Sequence, residues 1–110
     1  MSPRPKAGPP RWQDPVLDGA ALELARLVRG AVAALGALGH QRWVALLEPL
    51  VPVFEDGDLA DLLVAARRAR AAFGARDSIL DAWPSDEARR LRDAVDHLQH
   101  LIDRRLASER

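Results

Sequence analysis

Residues 86–107, DEARRLRDAVDHLQHLIDRRLA, repeat an apolar side chain every three to four positions: Leu91, Val95, Leu98, Ile102 and Leu106. At about 100° per residue, Val95, Leu98 and Ile102 fall within about 40° of Leu91, and Leu106 at about 60°. Ala94 and Leu101 widen the stripe, while His100 falls opposite it and His97 about 120° away. Ser85 stands before the run as a cap, and Asp86 and Glu87 place negative charge in the first turn, where the helix dipole favours it. The reading is a long amphipathic helix with one face in a core.

The rest of the chain supplies partners for that face. Asp14-Pro15 combines a side-chain acceptor at the N-cap with proline at the first helical position. Beyond it Leu17, Ala21, Leu24, Val28, Ala31 and Leu35 make a second stripe, with Glu23, Arg26 and Ala33 turned away. Leu22 lies off the stripe near Arg29 and marks an apolar spot on the outside. Gly19 and Gly30 each cost up to about 1 kcal/mol inside a helix. They read either as points of close approach for a neighbouring helix or as compositional drift. Gly36 or Gly39 ends the helix through a left-handed cap.

A second segment, His40 to Phe54, carries Trp43, Val44, Leu46, Leu47, Leu50 and Val51. Pro49 falls inside it, so a kink or two short helices is expected, and Pro52 is expected to stop or bend it again. Glu55-Asp56-Gly57-Asp58 reads as a loop, with Asp58 capping a third helix from Leu59 to Phe73. Leu59, Leu62, Leu63, Ala66, Ala69 and Phe73 line its apolar side, with Gly74 as its terminal cap. Ser78 and Asp81 approximate a capping box over a short helical turn that Trp83-Pro84 closes. The fold class is therefore all-α: a compact antiparallel bundle of about four helices, with the 78–83 turn as a plug or corner between the third and fourth.

Composition agrees. The 110 residues are 48% hydrophobic and 29% charged, enough for one domain with a core of its own. Ala and Leu supply 37 of them, which favours helix over strand. Residues 1–13 hold Pro3, Pro5, Pro9 and Pro10 and read as a flexible tail; residues 14–108 read as the single helical domain. Trp12 borders the tail and folds back over the first turn or stays with it. The absence of cysteine excludes disulfides and thiolate ligation and suits a cytoplasmic location. No run approaches a membrane span. Fifteen arginines beside a single lysine suit a GC-rich bacterial genome as well as any binding role.

Sixteen basic residues balance sixteen acidic ones, so no global field draws the chain to nucleic acid or to an anionic membrane. Residues 13–66 carry three arginines against eight acids, and residues 67–85 carry a net +2. Arg67, Arg68 and Arg70 suit the C-terminal half of their helix through its dipole alone. With Arg76 they are also the basis of the alternative reading, a nucleic-acid-binding accessory protein, joined by Arg89, Arg90 and Arg92 if the elbow brings them near. Asp77 and Asp81 oppose that reading by repelling phosphate.

Catalytic chemistry finds no kit. No serine sits in a nucleophile elbow, no phosphate-binding glycine loop is present, and Glu55 to Asp58 lacks the calcium-loop series. Asp93, His97 and His100 have helical spacing for an ion, yet they read as ordinary surface residues; His40 could join them only if the loop before the second helix packs near the last helix, and their outward direction argues against it. The expectation is no catalytic residue, no metal and no cofactor. Protein–protein contact remains, with self-association able to bury leftover apolar width on the first and last helices. The residues assigned to partner binding are Arg67, Arg70, Arg76, Asp77, Asp81, Trp83 and Arg90. The arginines offer forked ion pairs, the acids orient them or hold the turn, and Trp83 serves as core or anchor. Trp43 is expected in the core.

The segment Phe73-Gly74-Ala75-Arg76-Asp77-Ser78-Ile79-Leu80-Asp81 resembles Phe-Gly-Gly-Met-Gly-Ser-Phe-Asn-Asp in a family of small uncharacterised bacterial helical proteins. Trp43 is similar in placement to that family's second-helix aromatic, and the likeness spans about residues 20–83. Phe73, Gly74, Ser78 and Asp81 agree; Ala75, Arg76, Asp77 and Leu80 depart. The resemblance implies a shared structural role for the elbow and no catalysis. It leans towards an immunity-type or accessory protein.

Overall fold

Helix α1 (Pro15–Ala37) starts where the sequence places an acceptor before a proline. The Leu17 N–H donates to Asp14 Oδ1 at 3.2 Å, and Pro15 occupies a position whose N–H would have no intrahelical partner. The computed structural model describes residues 14–74 and 77–108. The tail 1–13 with Trp12, and Arg76 at the elbow, lie outside the described residues. Every position of the α1 stripe, from Leu17 to Leu35, is buried, and Ala25 joins it.

At its end, α1 forms a Schellman motif. The His40 N–H donates to the Leu35 carbonyl at 2.9 Å and the Gly39 N–H to that of Gly36 at 3.1 Å. Gly39 adopts φ +82, so of the two candidate glycines it is the one that needs to lack a Cβ.

The second segment is interrupted at Pro49 and resumes at Pro52, so its two prolines act differently from one another. Helix α2 (Gln41–Leu47) passes into a 3₁₀ turn over Glu48–Leu50, with Pro49 in its first turn. This is the interruption expected from a proline that can neither donate nor accommodate the preceding turn. Pro52 was expected to stop or bend the chain; instead it lies in the first turn of α3 (Val51–Asp56), where its fixed φ suits a helix start. Trp43, Leu47, Leu50, Val51 and Phe54 all enter the core. Gly57 then turns the chain: a Cβ there would sit 2.6 Å from the Val53 carbonyl oxygen, which already accepts the Gly57 N–H at 2.8 Å.

Helix α4 (Leu59–Ala71) is capped by Asp58, whose Oδ1 accepts the Asp61 N–H at 2.9 Å. It buries Leu62, Ala65, Ala66 and Ala69, with Leu59, Leu63 and Phe73 packed at the edge of the core. It ends without a left-handed glycine. The last turn tightens, Phe73 N–H donating to Arg70 O at 2.9 Å, and Gly74 keeps an ordinary φ. Among the described residues of this elbow, Asp77 is left-handed, at φ 52. Asp tolerates that region better than most side chains. The Ile79 N–H reaches back to Ala72 O at 2.9 Å and closes the elbow.

Helix α5 (Ile79–Ala82) carries the full capping box: Asp81 N–H donates to Ser78 Oγ at 3.4 Å, and Ser78 N–H donates to Asp81 Oδ2 at 2.9 Å. Ile79 is fully buried, so this single turn plugs the bundle. Ser85 Oγ then accepts the Ala88 N–H at 3.0 Å and starts α6 (Asp86–Ser108). Leu91, Val95, Leu98 and Ile102 are buried and Leu106 partly so. α1 and α6 run antiparallel: Arg105 lies 3.9 Å from Asp14, while Glu87 and Arg90 border Gly30 and Ala34. Among the described residues the exposed large apolar side chains are Val16, Leu22, Leu38 and Val64. Val16 and Leu22 stand on α1, Leu38 just past its end and Val64 on α4, while on α6 Leu101 and Leu106 are half-buried.

Candidate functional site

Helix α6 is walled on two sides by other helices, and a cleft opens on each. The larger, of about 660 Å³, lies between α1 and the α5–α6 corner. From α1 come Glu23, Arg26, Leu27, Gly30, Ala31 and Ala34, one edge of the helix at three-to-four-residue spacing. The capping box of α5 sets the far wall. It fixes one helical turn, whose last N–H, that of Trp83, donates to Ile79 O at 2.7 Å and leaves the indole half-buried over the groove. Glu87 and Arg90, three apart on α6, complete the rim.

The floor is made by small residues. No side chain and no other element comes within 4 Å of the point a Gly30 Cβ would occupy. One reading of the sequence had Gly30 admitting a neighbouring helix; instead it opens space. The rim is charged but balanced. Arg26 Nε donates to Glu23 Oε2 at 3.0 Å, and this hydrogen bond holds the Glu23 carboxyl below the usual glutamate range, outweighing desolvation. The same contact raises Arg26. Beside the rim, the hydrogen bond from Arg89 lowers the Asp86 carboxyl in the same way.

The smaller cleft, of about 450 Å³, lies between the end of α4 and the middle of α6 and is lined by Arg67, Arg70, Phe73, Gly74, Arg92 and Asp96 among others. Arg70 is tied across the helices to Asp96, and Arg92 approaches Asp93 at 3.3 Å. Arg67 and Arg68 make no ion pair among the described residues.

The residues assigned to partner binding thus fall into separate places. Arg67 and Arg70 share the α4–α6 cleft; Trp83 and Arg90 share the α1–α6 groove. Arg90 and Arg92 are two positions apart, about 200° around α6, which sends them to opposite sides. Asp77 belongs to neither cleft. Its carboxylate accepts from Arg42 at 2.7 Å, an α2 residue whose guanidinium also lies 4.3 Å from the Trp43 ring centre. Asp81 is spent on the cap of α5. Trp43 is in the core, as expected.

Sequence reasoning missed Leu27, Ala34 and Glu87 for the groove and Asp96 for the cleft. Their only available signal was membership of the solvent-side edges of α1 and α6, which does not say which edges meet. His97 and His100 are exposed, and among the described residues no group of three or more His, Asp or Glu side chains is placed to hold a metal. No helix among them is long and apolar enough to cross a membrane. Compared with protein-family models, curated proteins and solved structures, the chain matches none.

Proposed function

We propose that this chain is a non-catalytic protein-interaction module of the immunity or accessory type, working in a bacterial cytoplasm and engaging its partner through the α1–α6 groove. The observation that carries this reading is the groove itself: an open apolar floor at Gly30, Ala31 and Ala34, an indole and Leu27 as walls, and a balanced charged rim. Tryptophan and arginine beside a shallow apolar depression are the side chains that dominate protein interfaces. The alternative of nucleic-acid binding draws less support, because Arg70 is committed to Asp96 and Arg92 approaches Asp93.

Two glycines of α1 make a matched test. Gly19 and Gly30 are both exposed, and neither has a side chain or another element within 4 Å of its missing Cβ, but only Gly30 lines the groove. Gly19→Leu and Gly30→Leu each raise helix propensity by up to about 1 kcal/mol, so both variants should fold at least as well as the parent. Affinity capture from the native host should recover the same partner with the parent and with Gly19→Leu, and lose it with Gly30→Leu. Recovery that Gly30→Leu leaves intact, while Arg67→Glu with Arg70→Glu abolishes it, moves the contact to the other cleft. Strong loss of binding to nucleic acid as salt rises would favour the alternative.

A further inference from the structure

The α4–α6 cleft holds more positive charge than the fold spends there. Arg67 and Arg70 enter it from α4, three positions and so about one turn apart, and Arg92 enters it from α6. Against these three guanidinium groups the lining offers one carboxylate, Asp96, which ties Arg70. Asp93 meets Arg92 from outside the lining at 3.3 Å, longer than a good hydrogen bond. Arg67 makes no ion pair among the described residues. Elsewhere Arg26, Arg29, Arg42 and Arg89 each stand close on a carboxylate. The rest of the cleft is apolar, made by Ala71, Val95 and the half-buried Phe73.

We propose that this cleft binds a small phosphate monoester, its phosphate among the three guanidinium groups and its apolar body on Phe73, Ala71 and Val95. Three guanidinium groups less the Asp96 carboxylate leave two positive charges in the lining. A phosphate monoester, with about 1.5 to 2 negative charges at neutral pH, balances them; a carboxylate or a phosphate diester carries only one. Arg70 gives Asp96 one nitrogen, Nη1, and keeps the other donors of its fork. The tie also holds that side chain in place, so less freedom is lost when a ligand arrives. Guanidinium forks match phosphate oxygens two at a time. The volume, about 450 Å³, is that of a small-ligand site. Arg70 and Arg92 stay largely open to solvent, so affinity is modest and falls with salt. A nucleic-acid strand needs cations in series along its phosphates, and the ties to Asp93 and Asp96 interrupt such a series; one small dianion needs only this pocket. None of these residues lines the α1–α6 groove, so this proposal and the proposed function stand or fall separately.

Titration of the full chain with phenyl phosphate at low salt, followed by NMR, tests it. The amides of Arg67, Phe73, Arg92 and Asp96 should move together and saturate, while those of Gly30 and Ala34 stay in place. Inorganic phosphate should bind at the same amides several-fold more weakly, since it leaves the apolar part of the cleft uncovered. Benzoate, with one charge, should also bind more weakly than phenyl phosphate. Arg67→Gln and Arg92→Gln should each weaken phenyl phosphate about tenfold, the loss of a charge-assisted hydrogen bond. Arg104→Gln, towards the end of α6 and outside the cleft, should not. The absence of a saturable shift, equal affinity for inorganic phosphate or benzoate, or binding that both cleft variants leave intact overturns the proposal. A single-stranded oligonucleotide that moves the same amides and binds more tightly than phenyl phosphate overturns it in favour of nucleic acid. Where circular dichroism shows that one cleft variant unfolds the chain, the other decides, as Arg67 and Arg92 stand on different helices.

Discussion

The two clefts that flank α6 differ in how the chain treats its own charges. On the α1 side, small residues leave a gap, and the ions stand around it: Glu23 with Arg26 on one helix, Glu87 and Arg90 on the other. On the α4 side, guanidinium groups fill the rim, and one of them, Arg70, is drawn across to Asp96 and straps the helices together. An abundance of arginine therefore does not mark the more open surface. The open surface arises where side chains are missing, at Gly30, Ala31 and Ala34, and the arginine-rich one is partly closed by an ion pair of the fold itself.

The contrast depends on α6 being a fixed common wall, and Leu98 is fully buried beneath it. Leu98→Ala should cost about 2–5 kcal/mol, the lost transfer energy plus the cavity left behind. Urea denaturation measures this directly, and both clefts should loosen together. A cost below about 1 kcal/mol would mean that the α6 stripe is not held as tightly as its burial implies.

A smaller effect should separate the two sides. Ser78 is 5% exposed and caps the turn that carries Trp83, but nothing in the α4–α6 cleft rests on its hydroxyl. Ser78→Ala removes the acceptor for the Asp81 N–H and should cost about 1 kcal/mol. In an NMR spectrum the Trp83 indole signal should move while the amides of Arg67 and Arg92 stay in place. Movement of all three would show that the elbow supports both clefts.

These elements were not equally legible in the sequence. The α1 and α6 stripes were legible because burial on one helix follows a single period, and every stripe position of α1 is in the core; Ala25 and Ala88, buried beside the stripes, were not read, and Leu106 is only partly buried. Ser78 and Asp81 were legible because a capping box is local, spanning three residues. Pro52 was misread, since proline ends one helix by the same geometry with which it begins the next. Gly74 was misread because α4 closes with tightened 3₁₀-type bonds, which leaves the left-handed turn to Asp77. The site residues scattered for a further reason. Arg67, Asp77, Trp83 and Arg90 are close in sequence around one elbow, but their helices direct them to different sides. The contacts that place them, Arg42 with Asp77 and Arg70 with Asp96, span 35 and 26 positions.

The smallest expected effect concerns the rim of the groove, and it bears on how a partner binds there. Glu23 is exposed, so its pair with Arg26 should leave global unfolding almost unchanged and be seen only in its own titration. Its folded-state pKa lies below the unfolded value. Whatever it contributes is thus complete above the ordinary glutamate value of about 4.3, and is lost as pH falls through the lowered one. Arg26→Gln removes the hydrogen bond and the charge together, so the Glu23 midpoint, followed by NMR, should rise towards the ordinary value. A midpoint already ordinary in the parent would mean that the pair does not persist in solution, and that Glu23 and Arg26 meet a partner as separate charges. A lowered midpoint that Arg26→Gln raises would mean that the partner meets a neutral, pre-formed pair. Affinity should then come chiefly from Trp83, Leu27 and the open floor at Gly30, with little dependence on salt.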